Sequence, residues 1–331
     1  MPVNALQTPH RTARTPRSPL RSLTTFFRTP KGTMLLVLPA LLVVAALKAG
    51  TDSLHGVAWA VAVAVFVDLA ATRWRRGRWA FPSGALITGM LVAMVLAPFN
   101  AVYIPAATAG LAVVIKHVVR TRWTNVFNPA ALALVASALL FKDAQSWWAA
   151  LPDLGVLGFV LDLAAGWYIV TKMDRLPLAL IFLGTSIALF SAAAFLGAAP
   201  HVAQVFRAPD IQMLLFFAAF MLTDPPTSPA RRRDQIWFGL VVALAADAIF
   251  LRFGVQWFLL GGLLLGNACE SLRRLAAQPQ PRPTRGVAVD PRGPAVRGGP
   301  PVPAAATYAR QGSGTSPGVS GNLPPRARRH R

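Results

Sequence analysis

Two short polar sequences interrupt an otherwise apolar chain, and they hold the residues best suited to bind something. The first is NVFNPAALALV, Asn125–Val135. Asn128 followed by Pro129 reads as a cap and first-turn proline opening a helix, which leaves backbone N–H groups and the positive end of the helix dipole free. The second is FMLTDPPTSPARRR, Phe220–Arg233. Asp224 before Pro225 and Ser228 before Pro229 repeat the signature, so one helix ends, turns and gives way to another within a few residues. Ordinary helix capping explains both; so does a ligand site, because interrupted helices offer free ends to polar or anionic groups.

Acidic residues inside apolar runs form the second group, since each is costly there. Asp162 lies near the middle of one run and is the candidate for a proton or cation site. Asp247 lies toward the outer end of another. Asp68 sits close enough to Arg73 and Arg75 to reach them, and Lys116 with His117 offers a cationic pair for an anionic headgroup or cofactor phosphate. No nucleophile and base stand at a recognisable spacing, Glu270 is the only glutamate, and the five histidines fall in tails, loops or run ends. Hydrolysis and metal catalysis are not indicated, and no catalytic residue or metal ligand is assigned. The lone Cys269 permits neither an intrachain disulfide nor a four-thiolate cluster.

The elements that must position these residues are membrane helices. Hydrophobic residues make up 54% of the 331 positions and charged residues 14%, which suits a bilayer better than water. Apolar runs fall near 33–49, 56–72, 81–98, 101–118, 128–141, 154–171, 177–197, 211–222, 236–252 and 255–269. The expectation is an all-α integral membrane protein with about ten transmembrane helices. The runs 128–141 and 211–222 are shorter than the roughly 20 residues a full crossing takes, so they need polar extensions or a re-entrant course.

The net charge of +21 reports topology and not nucleic acid. Of 33 Lys and Arg, all but Lys48, Lys142, Arg207 and Arg252 fall in the tails or in alternate loops, which puts both termini on the cytoplasmic side of the membrane. Trp74, Trp79, Trp123, Trp147, Trp148 and Trp237 lie near run ends, where indoles settle at headgroup level. Residues 1–32 read as a disordered basic arm and 33–275 as the membrane domain. Residues 276–331, with 11 of the 28 prolines, read as a disordered Pro/Arg-rich tail. Helix 3 closes on MLVAMVLAPFN and helix 8 on LFFAAFMLTDPP. That echo suggests two inverted five-helix repeats.

With these residues in view the chain resembles the RnfD and NqrB membrane subunits of ion-pumping ferredoxin:NAD and NADH:quinone oxidoreductases. The resemblance rests on SGALITGMLVAMVLAP (Ser83–Pro98), on NVFNPAALALV with Lys116, His117 and Arg120 upstream, on FMLTDPPTSP (Phe220–Pro229), and on the closing helices from Ile236 to Cys269. It is closer to RnfD than to NqrB. It implies an electron-relay subunit that works among other membrane and redox subunits. It also implies a flavin, FMN or riboflavin, held without a covalent bond near Thr124, Asn128 and Pro129, then Asp224 and Thr227.

One departure limits that implication. In the family a covalent FMN is carried on a threonine in the outer loop between helices 5 and 6. Here the loop reads FKDAQSWWAALPD, Phe141–Asp153, with Ser146 as its only hydroxyl and no threonine. Two readings from different classes stay open. One is a divergent redox subunit with non-covalent flavin. The other is a cofactor-free transporter or membrane scaffold, of the trimmed kind found beside enediyne-type natural-product pathways.

Overall fold

Thr29 opens the first helix: its hydroxyl accepts from the Gly32 N–H at 3.2 Å and Pro30 fills the first turn. In a computed structural model of the chain, which describes residues 25–120, 125–197 and 202–276, that helix is α1, Pro30–Ala49. It is followed by α2, Ser53–Arg76; α3, Ser83–Val95; α4, Tyr103–Val118; and α5, Pro129–Phe141. The chain continues with α6, Gly155–Lys172; α7, Leu176–Phe195; α8, Asp210–Phe216; α9, Arg232–Phe253; and α10, Phe258–Ala276. A π-helical turn, Phe217–Met221, extends α8. No strand is formed among the described residues. All of them belong to one compact unit, 1–278, and the basic tail falls in a second, 279–331, outside the described residues.

Five helical segments are long and apolar enough to cross a bilayer: α1, α2, Trp148–Lys172, α7 and α9. Their large apolar side chains face outward, as with Leu47, Phe66, Val156 and Phe195. Such surface would be untenable in water and is ordinary against lipid. The protein is therefore a multi-pass membrane protein. The shorter apolar helices α3, α4, α5 and α8 lie further inside. From Met90 to Leu96 and from Phe216 to Thr223 every residue is buried.

Helices approach closely where small residues allow it, the usual device when lipid removes the hydrophobic drive between them. A Cβ on Gly89 of α3 would fall 2.8 Å from Val61 Cα of α2, and one on Gly262 of α10 would fall 2.7 Å from the Ala246 nitrogen of α9.

The loop after α5 departs from expectation. It folds inward and its backbone pairs with the end of α3: Ala97 N–H donates to Ala144 O at 3.2 Å, and the Ser146 and Trp147 N–H groups both donate to Val95 O at 3.0 Å. α3 stops at Val95, three residues before Pro98, whose missing N–H cannot continue the helix, and the loop takes up the carbonyl thus left free. Trp147 and Trp148 are buried, not poised at a headgroup layer. The Trp148 indole N–H donates to Ala93 O at 2.8 Å, while the Trp147 ring meets Phe216 and Phe217 edge-on. Trp74 and Trp79 are exposed as the sequence suggested; Trp123 lies outside the described residues.

Candidate functional site

Helix ends from both halves of the chain meet at the basic end of the bundle, and Asn128 is where they join. As expected, Asn128 caps α5, its Oδ1 accepting from Ala131 N–H at 3.1 Å with Pro129 in the first turn. Its remaining groups are taken by distant partners. The Asn128 backbone N–H donates to Asn267 Oδ1 of α10 at 2.8 Å, and its Nδ2 donates to Met221 O, the last carbonyl of the π turn, at 3.3 Å. Asn128 and Asn267 are both buried. The FNPA sequence, the end of α8 and the closing helix are thus tied at one point.

Asp224 and Thr227 lie one turn beyond Met221. The Thr227 hydroxyl donates to Asp224 Oδ2 at 3.2 Å, and the Thr227 and Ser228 N–H groups both donate to Asp224 O. Burial pushes the Asp224 carboxyl up to about 6, against the Thr227 hydrogen bond and the positive charges of Lys31 and Lys116. The double cap-and-proline reading of this segment is corrected: α9 begins only at Arg232, and its cap residue, Arg231, makes no side-chain capping bond. The Ser228 hydroxyl lies before that cap and accepts from Arg175 Nε at 3.1 Å. Burial lowers the Arg175 guanidinium, partly countered by Asp174 beside it.

The same end holds two clusters that were not foreseen as such. Glu270, buried in α10, is gripped by Arg273 Nε at 2.8 Å and Arg274 Nε at 2.7 Å, and Arg273 also reaches Asp234 of α9 at 2.9 Å. Asp68 does not turn to Arg73 or Arg75. It accepts from Lys116 Nζ at 3.1 Å and contacts His117 Nε2 at 2.9 Å, while Arg75 donates to His117 O at 2.8 Å. Lys116 and His117 are thereby committed within the protein. The missed residues, Asn267, Glu270 and Arg175, did carry a signal: each is a polar group in or beside a run too apolar to hold one without a partner.

Asp162 stands apart from this end. It is 1% exposed on α6, and neither carboxylate oxygen has a hydrogen-bond partner among the described residues. One turn further on, Gly166 lies against Ala219 of the π turn, where a Cβ would come within 3.0 Å. Thr124 falls outside the described residues, so the structure brings together Asn128, Pro129, Asp224 and Thr227 and leaves Asp162 elsewhere.

Most polar groups of these four residues are taken up by bonds within the protein. The side-chain amide of Asn128 is engaged at both ends and Thr227 is turned onto Asp224, while Asn267 Nδ2 is a buried donor with no hydrogen-bond partner among the described residues. An apolar groove of about 530 Å³ runs between α1, α2 and α3, lined by residues such as Leu42, Leu54, Val61 and Met90, and none of the four borders it.

The fold and this junction define a helical membrane subunit whose polar chemistry is gathered at helix ends. The NQR2, RnfD, RnfE family model matches residues 20–199, and the chain belongs to that family. It is accordingly a membrane subunit of an Rnf/Nqr-type electron-transport complex. Comparison with individually curated proteins gives no match.

Proposed function

We propose that the chain is the RnfD-like subunit of an ion-coupled oxidoreductase complex in the bacterial inner membrane, with ten spans in two inverted halves and both termini cytoplasmic. The observation that carries this reading is the bond between Asn128 and Met221 O, which joins the two sequence elements of the resemblance across the halves. The inverted repeat is supported by packing: α2 lies along α4 and α4 along α5 in the first half, and α7 along α9 and α9 along α10 in the second. Within the complex the chain's role is electron relay and ion passage beside other membrane and redox subunits. Asp162 is the proton or cation site of the first rank, because a buried carboxylate with no hydrogen-bond partner among the described residues, next to a π turn, suits a transiently bound cation better than a structural role.

Any flavin of this subunit is FMN or riboflavin, held without a covalent bond near the Asn128–Asp224 end. The second reading, a cofactor-free transporter or scaffold, is favoured by one observation: that end is closed by its own hydrogen bonds, and Trp147 and Trp148 fill the space behind the loop. Purified protein separates the two. A flavin absorption band near one per chain supports the redox subunit, and colourless protein prepared with flavin supplied throughout supports the scaffold.

A further inference from the structure

The helix pair α7 and α9 runs parallel. Leu178 O lies 2.9 Å from where a Cβ on Gly239 would stand, and further along the Phe190 and Phe250 rings meet at 5.4 Å. Between these two contacts, in the same register, Ser186 of α7 faces Asp247 of α9. Both are buried, Asp247 at 1% exposure and Ser186 at 0%. Among the described residues neither the Asp247 carboxylate oxygens nor Ser186 Oγ has a hydrogen-bond partner.

The pair α2 and α4, also parallel, carries the matching polar contact toward the ends of its helices. There the Asp68 carboxylate meets Lys116 and His117, so its charge is offset from within. Among the described residues the α7–α9 contact has a carboxylate and no internal cation. No residue of α7 is ionisable. Those of α10 lie at the basic end, where Arg273 holds Asp234, about 20 Å along α9 from Asp247 at 1.5 Å per residue. Arg252 is exposed and lies over the Phe253 ring. A carboxylate left charged in this place has nothing to compensate it.

We propose that Asp247, abreast of Ser186, is an exchangeable proton-binding site whose carboxyl is held as the neutral acid, its O–H donating to Ser186 Oγ when the two close to hydrogen-bond distance. The ligand is a proton and not a metal cation. The side chains supply three oxygens and the neighbouring helix carbonyls are bonded within their helices, too few to replace a metal ion's hydration shell. Asp247 lies about 9 Å from the far end of α9, on the side away from the Asn128 junction, so the site is within reach of the opposite membrane face. The inference does not depend on electron transfer, since a scaffold with this helix pair would bind the proton equally.

Infrared spectroscopy of the purified full-length protein at neutral pH tests it through the carboxylic-acid C=O stretch. The expected result is an acid band that is lost in Asp247→Asn, retained in Asp162→Asn, and shifted to higher frequency in Ser186→Ala as its hydrogen bond disappears. No acid band in the unmodified protein, identical spectra for it and Asp247→Asn, or a band abolished by sodium at constant pH would each overturn the proposal. Should Asp247→Asn not fold, an unshifted band in Ser186→Ala overturns it as well.

Discussion

Asn128 and Asn267, 139 positions apart, are joined by the Asn128 backbone N–H donating to Asn267 Oδ1 at 2.8 Å inside the bundle. The bond spends a backbone donor that a helix start would otherwise leave free, and it fastens the FNPA helix to the last helix of the chain. Replacing Asn128 by Ala removes a cap worth about 1 kcal/mol and leaves Met221 O only the longer bond from the Asp224 N–H at 3.5 Å. Replacing Asn267 by Ala strands the Asn128 N–H, at about 1–3 kcal/mol for a buried unsatisfied group. Thermal unfolding in mild detergent should show both variants destabilised, with the double variant less affected than the sum of the two because they share one network.

Glu270 should matter more than a charge at a membrane edge usually does. Its buried carboxylate receives both Arg273 and Arg274, and through Arg273 it binds α10 to Asp234 of α9. Glu270→Ala should cost about 2 kcal/mol, in the range for hydrogen bonds to charged groups. Asp234→Ala, which removes the more exposed arm, should cost under about 1 kcal/mol. Equal melting temperatures for the two variants would contradict this ordering.

Asp224 gives the basic end a pH dependence of definite sign. Its carboxyl is raised from 3.8 to about 6 by burial, so the folded state takes up a proton more readily than the unfolded chain. The stability this group contributes is complete below about pH 4 and is lost as pH rises through about 6. Between pH 5 and 7 the melting temperature of the protein should fall more than that of Asp224→Asn. Parallel curves would show that Asp224 is not the group responsible.

The contact between α9 and α10 has no room for a side chain at Gly262. Gly262→Leu should prevent recovery of monodisperse protein, since the Cβ alone would meet the Ala246 backbone. Gly184→Ala, on α7 with nothing within 4 Å of the added carbon, should leave stability unchanged or slightly raised.

The cap at Asn128 and the membrane character of the chain were legible in the sequence because each is a local signal, an Asn-Pro pair in one case and apolar run length in the other. The partners of the polar residues were not. Asp68 has Arg73 and Arg75 five and seven residues away, yet it pairs with Lys116, since α4 lies against α2 and presents its cations at that depth. Trp147 and Trp148 sit beside polar loop residues, which suggested a headgroup position, but the free backbone groups at the end of α3 draw that loop inward. The cap-and-proline pairs at Asp224 and Ser228 signal a second helix start within a few residues, but α9 begins only at Arg232, and the Ser228 hydroxyl accepts from Arg175 in the turn between α6 and α7. Each outcome turns on contacts between residues far apart in the chain, 48 apart for Asp68 and Lys116 and 53 for Arg175 and Ser228, where periodicity and capping rules have no reach.

The central claim is that this chain serves as a membrane subunit within an electron-transport assembly, and its own membranes are the place to test it. A tagged full-length chain, purified in mild detergent from the cells that make it, should bring with it stoichiometric iron–sulfur and flavin subunits, and the complex should show an optical spectrum bleached by reductant. A chain recovered from intact membranes without redox partners, and with no reductant-sensitive absorption, would contradict the account.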